Sequence, residues 1–424
     1  MAEREQAATV ADPISGSPAY PIGTRLNERG RLEVGGCDVV ELAAEFGTPA
    51  YVYAEDDMRS RARATMAAFA ERSGSFEVVY ASKAFPCGAA LSLFAEEGLS
   101  CDVASGGELF LALRAGFDPE RIYMHGNNKT EAELQQALES GVGHVIVDSL
   151  DEIERLRRVA EGRAQRVLIR VTPGIRPDTH EKIATGQEDS KFGIPLAELD
   201  LAVERCGAAG LEVRGLHAHL GSQVFDLGVY ATLAEVMSSA GEYPVVNMGG
   251  GFAVAYTRDQ SPPPPAAYAE AMLAGLPGDV HVLCEPGRSL VANAGISLYT
   301  VGTVKDVPGV RRYVAVDGGM ADNIRPMLYD AVYEAEVADR IGDSTPCRLV
   351  GMHCESGDVL IKEARLEEPR VGDVVAVPAT GAYGYAMASN YNGVPRAPVV
   401  FCRDGDARLV VRRETYEDLI ARDV

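Results

Sequence analysis

Lys83 follows the apolar run Val78-Val79-Tyr80-Ala81. An amine at a buried strand end is a candidate nucleophile, because desolvation weakens its hold on a proton. Other β-rich runs end on Asp102, on His125-Gly126-Asn127-Asn128, on Asp148 and on Arg170. Further along, runs end on His219 with Gly221-Ser222, on Gly249-Gly250-Gly251, and on Glu285 with Gly287-Arg288. MGGGF and EPGR offer backbone N–H groups beside a guanidinium fork, a nest suited to a phosphate. A carboxylate at Glu285 can hold a protonated ring nitrogen while Arg288 holds the same molecule's phosphate. Amine, phosphate clamp and ring-nitrogen carboxylate together describe a pyridoxal phosphate site.

Plainer readings stand beside these. Lys83 alone could reach outward from a rim, and the three glycines alone could make a tight turn. There is no G-x-G-x-x-G and no G-K-[ST], so dinucleotide and P-loop readings are weak. His217 and His219, two apart on a strand, face one side and could ligate a metal. Only 7 histidines exist and no other sequence cluster completes a coordination set, so no metal is expected. A histidine stacked on a cofactor ring suits the phosphate-bearing neighbourhood better.

The elements that must position these residues are eight short β-rich runs between about residues 50 and 305. They are EVVYASKA, LSCDVAS, RIYMHGNN, HVIVDS, RVLIRVTP, VRGLHAHLGS, PVVNMGGG and HVLCEPGR. Stretches with helical apolar spacing alternate with them, such as Ala89-Leu93-Phe94. This alternation predicts an α/β fold, a (β/α)8 barrel with its site at the C-terminal strand ends. After residue 305, RRYVAVDGG, CRLVGMHCES, DVVAVPAT, PVVFCRDG and ARLVVRRE predict an all-β, sandwich- or barrel-like domain. The expected division is an N-terminal segment over 1–47 that packs with the β domain, a barrel over 48–305 and a C-terminal β domain over 306–424. Pro262 to Pro265 read as a stiff polyproline spacer. The segment between Ser222 and Gly249 is short for a barrel helix, closed abruptly by Gly241-Glu242-Tyr243-Pro244.

Composition narrows the partners. Across 424 residues, 40 Lys+Arg stand against 62 Asp+Glu, a net charge of −22. Nucleic acid and anionic lipid need basic surface, so neither is expected. No apolar run is long enough to span a bilayer, and the N-terminus lacks a secretory pattern. The 8 cysteines are scattered without a C-x-x-C, which suggests reduced thiols in a cytoplasm.

Six motifs in chain order make the reading specific: YASKA, HAHLGSQ, GGGF, EPGR, CESGD and GAYGYAMASNYN. From about residue 20 onward the chain resembles the fold type III, alanine-racemase-type pyridoxal phosphate decarboxylases. HGNNK, the run from THEKIATG to DSKFG, DGGMADNIRPMLY and CESGD resemble the diaminopimelate decarboxylase family among them. The resemblance implies that Lys83 carries the cofactor, that Asp102 belongs to its site, and that His219 stacks on its ring. It implies that Ser222, Gly250, Gly251 and the Gly287-Arg288 backbone bind the phosphate with the Tyr383 hydroxyl, and that Glu285 pairs with the ring nitrogen. Arg288, Arg325, Tyr329 and Tyr383 match substrate-binding positions. Cys354 and Glu355 match residues that cross to the site of a second subunit, in a homodimer with shared active sites. Cys354 would then be the acid that reprotonates the substrate carbon.

The reaction implied is decarboxylation of an amino acid. Ornithine and arginine decarboxylases carry an aspartate after the cysteine, whereas Glu355 follows Cys354 here. Arg325 offers a fork for a distal carboxylate and Glu355 a partner for an adjacent ammonium, which suits meso-diaminopimelate, with lysine as product. A decarboxylase of another or carrier-bound amino acid, a racemase and a metal-dependent barrel hydrolase are the alternatives.

Overall fold

The computed structural model describes residues 14–175 and 190–424. Eight parallel strands form its centre: β1 (Phe76–Ala81), β2 (Ser100–Val103), β3 (Ile122–Met124), β4 (His144–Val147), β5 (Arg166–Thr172), β6 (Glu212–His217), β7 (Val245–Asn247) and β8 (His281–Cys284). Each pairs with the next, and β8 pairs with β1, so the sheet is a closed barrel. Every run expected as a barrel strand is one. Alternation along the strands divides their side chains between two cores. Val79, Tyr123, Ile146, Leu168, Val245 and Leu283 fill the lumen, whereas Val78, Tyr80, Val145 and Val167 face outward into the larger core shared with the helices. A plugged lumen leaves only the strand ends and their loops for chemistry.

Local signals explain the helices. Ser149 accepts from the Glu152 N–H and caps Leu150–Ala160, which buries Ile153, Leu156 and Ala160. The short segment after Ser222 still carries the helix Gly228–Ser239, with Tyr230, Leu233, Ala234 and Met237 buried. Pro265, expected to end a spacer, is the first residue of the helix Pro265–Leu273, a position where a missing N–H costs nothing.

The second unit is built around β9 (Gly295–Val307). It pairs with Ala50–Ala54 at its start, with Val374–Val377, and with Arg311–Val316 towards its end. Val399–Arg403 runs parallel to Ala50–Ala54 and pairs with Asp406–Val411. Thr345–Val350 joins Arg311–Val316 to Val359–Leu366. The N-terminal segment adds a small sheet of Arg25–Leu26, Leu32–Val34 and Cys37–Asp38. Tyr20, Leu32 and Val34 pack there against Val52, Ile296, Leu298 and Val400. The β unit thus takes in Ala50–Ala54 and begins again at Gly295, both inside the range expected for the barrel. Ala50–Ala54 is buried along its whole length, so it has no alternation by which to tell its sheet from the barrel's. Val359–Leu366 was not among the expected strands; its Lys362, Glu363 and Arg365 are helix formers overridden by pairing.

Candidate active site

A cavity of about 250 Å3 opens at the C-terminal ends of the barrel strands. Lys83 lies on the Ser82–Ala84 turn that follows β1, and its Nζ donates to Asp102 Oδ2 at 2.6 Å. Asp102 is buried at the end of β2, and its Oδ1 has no hydrogen-bond partner among the described residues. Burial acts to strip the Lys83 proton, but Asp102, with Tyr383 and Glu285, outweighs it and holds the pKa above the ordinary lysine value. This corrects the expectation that desolvation leaves a neutral amine. The ammonium here is paired, and it needs a reaction partner to release its proton.

Glu285 follows β8 and is the centre of a second wall. His217 Nε2 donates to its Oε2 at 3.2 Å and Asn247 Nδ2 to its Oε1 at 2.7 Å. His125 Nε2 lies 2.9 Å from Oε1. Burial raises the Glu285 pKa, yet His125 and His217 overcome it, and the carboxyl is held well below the carboxylate range. Burial takes His217 down to about 4 despite Glu285, so at neutral pH it donates as a neutral ring. His219 is neutral too, lowered by burial and then by Arg170 and Lys83. Gly250 N–H donates to its Nδ1 at 3.1 Å, which leaves the ring proton on Nε2.

His125, His217 and Glu285 bring ligand atoms within 4.8 Å of one another. The sequence offered no such set because His125 comes from β3 and the other two from β6 and β8. His217 and Asn247 already donate to the carboxylate, so the trio is a hydrogen-bonded anion site as it stands. His217 and His219 do not act as a pair: one turns to Glu285 and the other to Gly250.

The opposite end is cationic. Ser222, Gly251, Gly287 and Arg288 line it. Arg288 Nε and Nη2 both reach Ser222 Oγ, at 3.0 and 2.9 Å, and Nη1 donates to the Tyr256 hydroxyl. A Cβ on Gly250 would lie 2.1 Å from the Glu285 carbonyl oxygen, and one on Gly251, at φ +105°, 2.5 Å from that of Gly221. Only glycine lets the end of β7 come this close to the end of β8 on one side and to the loop after β6 on the other. Of the two, Gly251 borders the cavity, while the Gly250 N–H is engaged by His219. Tyr383 has φ +60°, uncommon for a bulky side chain. Its N–H is tied to the Ala84 carbonyl at 2.8 Å, beside Lys83, and its ring lies 4.7 Å from Arg288 Cζ.

Lys83, Asp102, His219, Ser222, Gly251, Glu285, Gly287, Arg288 and Tyr383 border one cavity. Arg325 is one layer behind, its guanidinium 4.8 Å from the Tyr256 ring centre. Tyr329 is half-buried at the end of the same short helix, Arg325–Tyr329. Cys354 and Glu355 are exposed and off the cavity wall of their own chain. THEKIATG lies outside the described residues. Sequence reading missed Tyr256 and Asn247, since neither stands in a motif with a chemical signature. It also passed over Lys129, buried against Glu152 at 2.7 Å, whose Nζ donates to the carbonyls of Gly126 and Ile146 and pins the His125 loop.

Residues 56–292 match the family model of the pyridoxal-dependent decarboxylase pyridoxal-binding domain. The diaminopimelate decarboxylase of Bacillus subtilis (strain 168) is 46% identical, covering 95% of this chain and 97% of its own. That of Actinosynnema pretiosum subsp. auranticum is 47% identical, covering 97% and 98%. The crystal structure of diaminopimelate decarboxylase from M. jannaschii in complex with L-lysine superposes with a TM-score of 0.88 at 33% identity, over 95% of this chain and 97% of that one.

Proposed function

From the premise that the chain belongs to the diaminopimelate decarboxylase family of pyridoxal-dependent decarboxylases, we propose how its residues divide the work. The enzyme decarboxylates meso-2,6-diaminopimelate to L-lysine and CO2, the lysine-forming step of biosynthesis, with pyridoxal 5′-phosphate as cofactor. The observation that carries this reading is the joint placement, in one cavity, of a paired lysine, an ionised buried carboxylate and an arginine without an acidic partner among the described residues.

The donor set fits the cofactor. Asp102 Oδ1 is a buried acceptor without a donor among the described residues, and the Ser222 hydroxyl with the Gly287-Arg288 backbone offers donors for a phosphate. When bound, pyridoxal phosphate supplies an electron-withdrawing ring that takes up the electron pair left as CO2 departs. Lys83 would carry it, with Asp102 steering the amine and holding its proton on Nζ. Glu285 would hold a proton on the ring nitrogen, because an adjacent buried anion raises that nitrogen's proton affinity. His217, Asn247 and His125 keep both Glu285 oxygens aimed and anionic. His219, fixed by Gly250, would lie against the ring face. Ser222, Gly250, Gly251, Gly287 and Arg288 would bind the phosphate with Tyr383. Arg288, Arg325, Tyr329 and Tyr383 would line the substrate's path, with the distal carboxylate on the arginines.

We further propose a homodimer in which Cys354 and Glu355 cross to the other copy's site. Cys354 would deliver a proton to the substrate carbon that loses CO2. Their exposure, and their place off the cavity wall of their own chain, support this. The chain divides into the barrel and the β unit, with the N-terminal segment joining the latter through its shared core. A cytoplasmic location is supported by the 8 unpaired cysteines. No helix among the described residues is long and apolar enough to cross a membrane.

The test is CO2 release from meso-diaminopimelate beside L-lysine, L-ornithine and L-arginine, on protein that is yellow and bleaches with borohydride. Release from the dicarboxylate is expected; release only from one of the other three overturns the substrate, and colourless protein the cofactor.

A further inference from the structure

Arg288 and Arg325 are 7% and 5% exposed, and among the described residues neither has a carboxylate partner. Two desolvated guanidiniums without an acid are costly unless something electron-rich lies between them. That place is held by Tyr256. Its hydroxyl accepts from Arg288 Nη1, and the Arg325 guanidinium lies over its ring at 4.8 Å. Arg325 Nη1 in turn donates to the Tyr333 hydroxyl, and the rings of Tyr256 and Tyr333 meet edge to face at 5.3 Å. The series runs Tyr383, Arg288, Tyr256, Arg325, Tyr333, with cations and aromatic rings in strict alternation.

Two details give this series a purpose beyond packing. Arg325 Nε is buried with no partner among the described residues, a donor open to a further acceptor. Burial alone pushes the Tyr256 phenol upward, but Arg288 and Arg325 reverse this and lower its pKa. The Tyr256 hydroxyl therefore lies in the field of both guanidiniums, and its oxygen is an acceptor that meets them without an opposing charge.

We propose that Tyr256 is the positioning residue that sets Arg288 and Arg325 as one two-guanidinium receptor for the distal carboxylate of the substrate. This rests on the reading that the substrate is meso-diaminopimelate. Arg288 ties the receptor to Ser222 at the phosphate end, so cofactor and distal carboxylate are gauged from the same guanidinium. A substrate whose far end is only an ammonium meets two like charges there, which builds discrimination by repulsion as well as attraction.

Tyr256→Phe keeps the ring and removes the oxygen. L-Lysine, the product, retains the distal carboxylate, while cadaverine lacks it. In cofactor-loaded Y256F, the KM for meso-diaminopimelate and the inhibition constant of L-lysine are expected to rise about tenfold, the worth of one hydrogen bond to a charged group. The fall in kcat should be smaller than the rise in KM. The inhibition constant of cadaverine and the visible absorbance of the bound cofactor should stay as in the wild type. Equal weakening of L-lysine and cadaverine would show general damage to the site and overturn the proposal, as would unchanged constants for both. If Y256F does not accumulate as folded protein, Tyr256→His, which keeps a ring and an acceptor, is measured in the same way. An intermediate rise for L-lysine alone is expected, and no change overturns the proposal. Wild-type protein that released no CO2 from meso-diaminopimelate would remove the substrate reading, whereas the L-lysine and cadaverine split tests the receptor separately.

Discussion

The two ends of the cavity solve opposite electrostatic problems. At one end the anion Glu285 is buried and its partners belong to the protein: His217, Asn247 and His125. At the other the cation Arg288 is buried, with Arg325 one layer behind it, and among the described residues the two meet only hydroxyls and aromatic faces. A buried charge needs compensation from some source. Where the described residues complete it, the group is set before any ligand arrives; where they do not, an anion carried by the ligand can complete it. On the proposed function, the first end would tune the reaction and the second would select what enters.

The largest effect should come from the preset end. Glu285→Ala is expected to lower kcat by roughly 10² to 10³, the range for loss of one preorganised electrostatic group, with a lesser change in KM. Steady-state kinetics on cofactor-saturated protein checks this, and a pure KM effect would erase the contrast between the ends. Arg325→Ala attacks the selective end. Losing one partner of a buried charge contact costs about 2–5 kcal/mol, so KM should rise by roughly 10² while cofactor absorbance is retained. Unchanged kinetics would remove Arg325 from the site.

The smallest effect sharpens the comparison through stability. His217 is held at about 4, against an ordinary 6.5, so between those values the unfolded chain binds a proton that the folded one does not. Acidification across that window therefore destabilises, by about 1.4 kcal/mol per pH unit at most. Asp322, in the β unit, has the opposite sign. Burial carries it up to about 7, in spite of bonds from the Tyr299 hydroxyl and the Gly319 N–H. Its contribution is present at low pH and is lost as pH rises through about 7. In thermal melts between about pH 4 and 7 the two slopes oppose one another: His217→Asn should remove the one by which stability rises with pH, and Asp322→Asn the one by which it falls. Melts that keep both slopes in the variants would show that neither group titrates as described.

Much of this was legible in one dimension. All eight barrel strands could be read from short apolar runs that end on polar or glycine residues, because a strand's period and its breakers are local properties. Lys83, Glu285 and Arg288 stood out because their neighbours made a pattern. The edges of the β unit did not, since Ala50–Ala54 and Gly295–Val307 choose their sheet through partners hundreds of residues away. Tyr256 was silent for a different reason. Nothing in FAVAYT marks a tyrosine set between two arginines that arrive from other segments.

Read alone, the sequence determined which chemical groups exist and which strand ends present them, since residue type and local periodicity need no third dimension. Tertiary structure decided their states. It made Lys83 a paired ammonium, Glu285 an ionised carboxylate and His217 a neutral donor. Proton affinity depends on charges within a few ångströms and on how much water is excluded, and both are set by segments that meet only when the barrel closes.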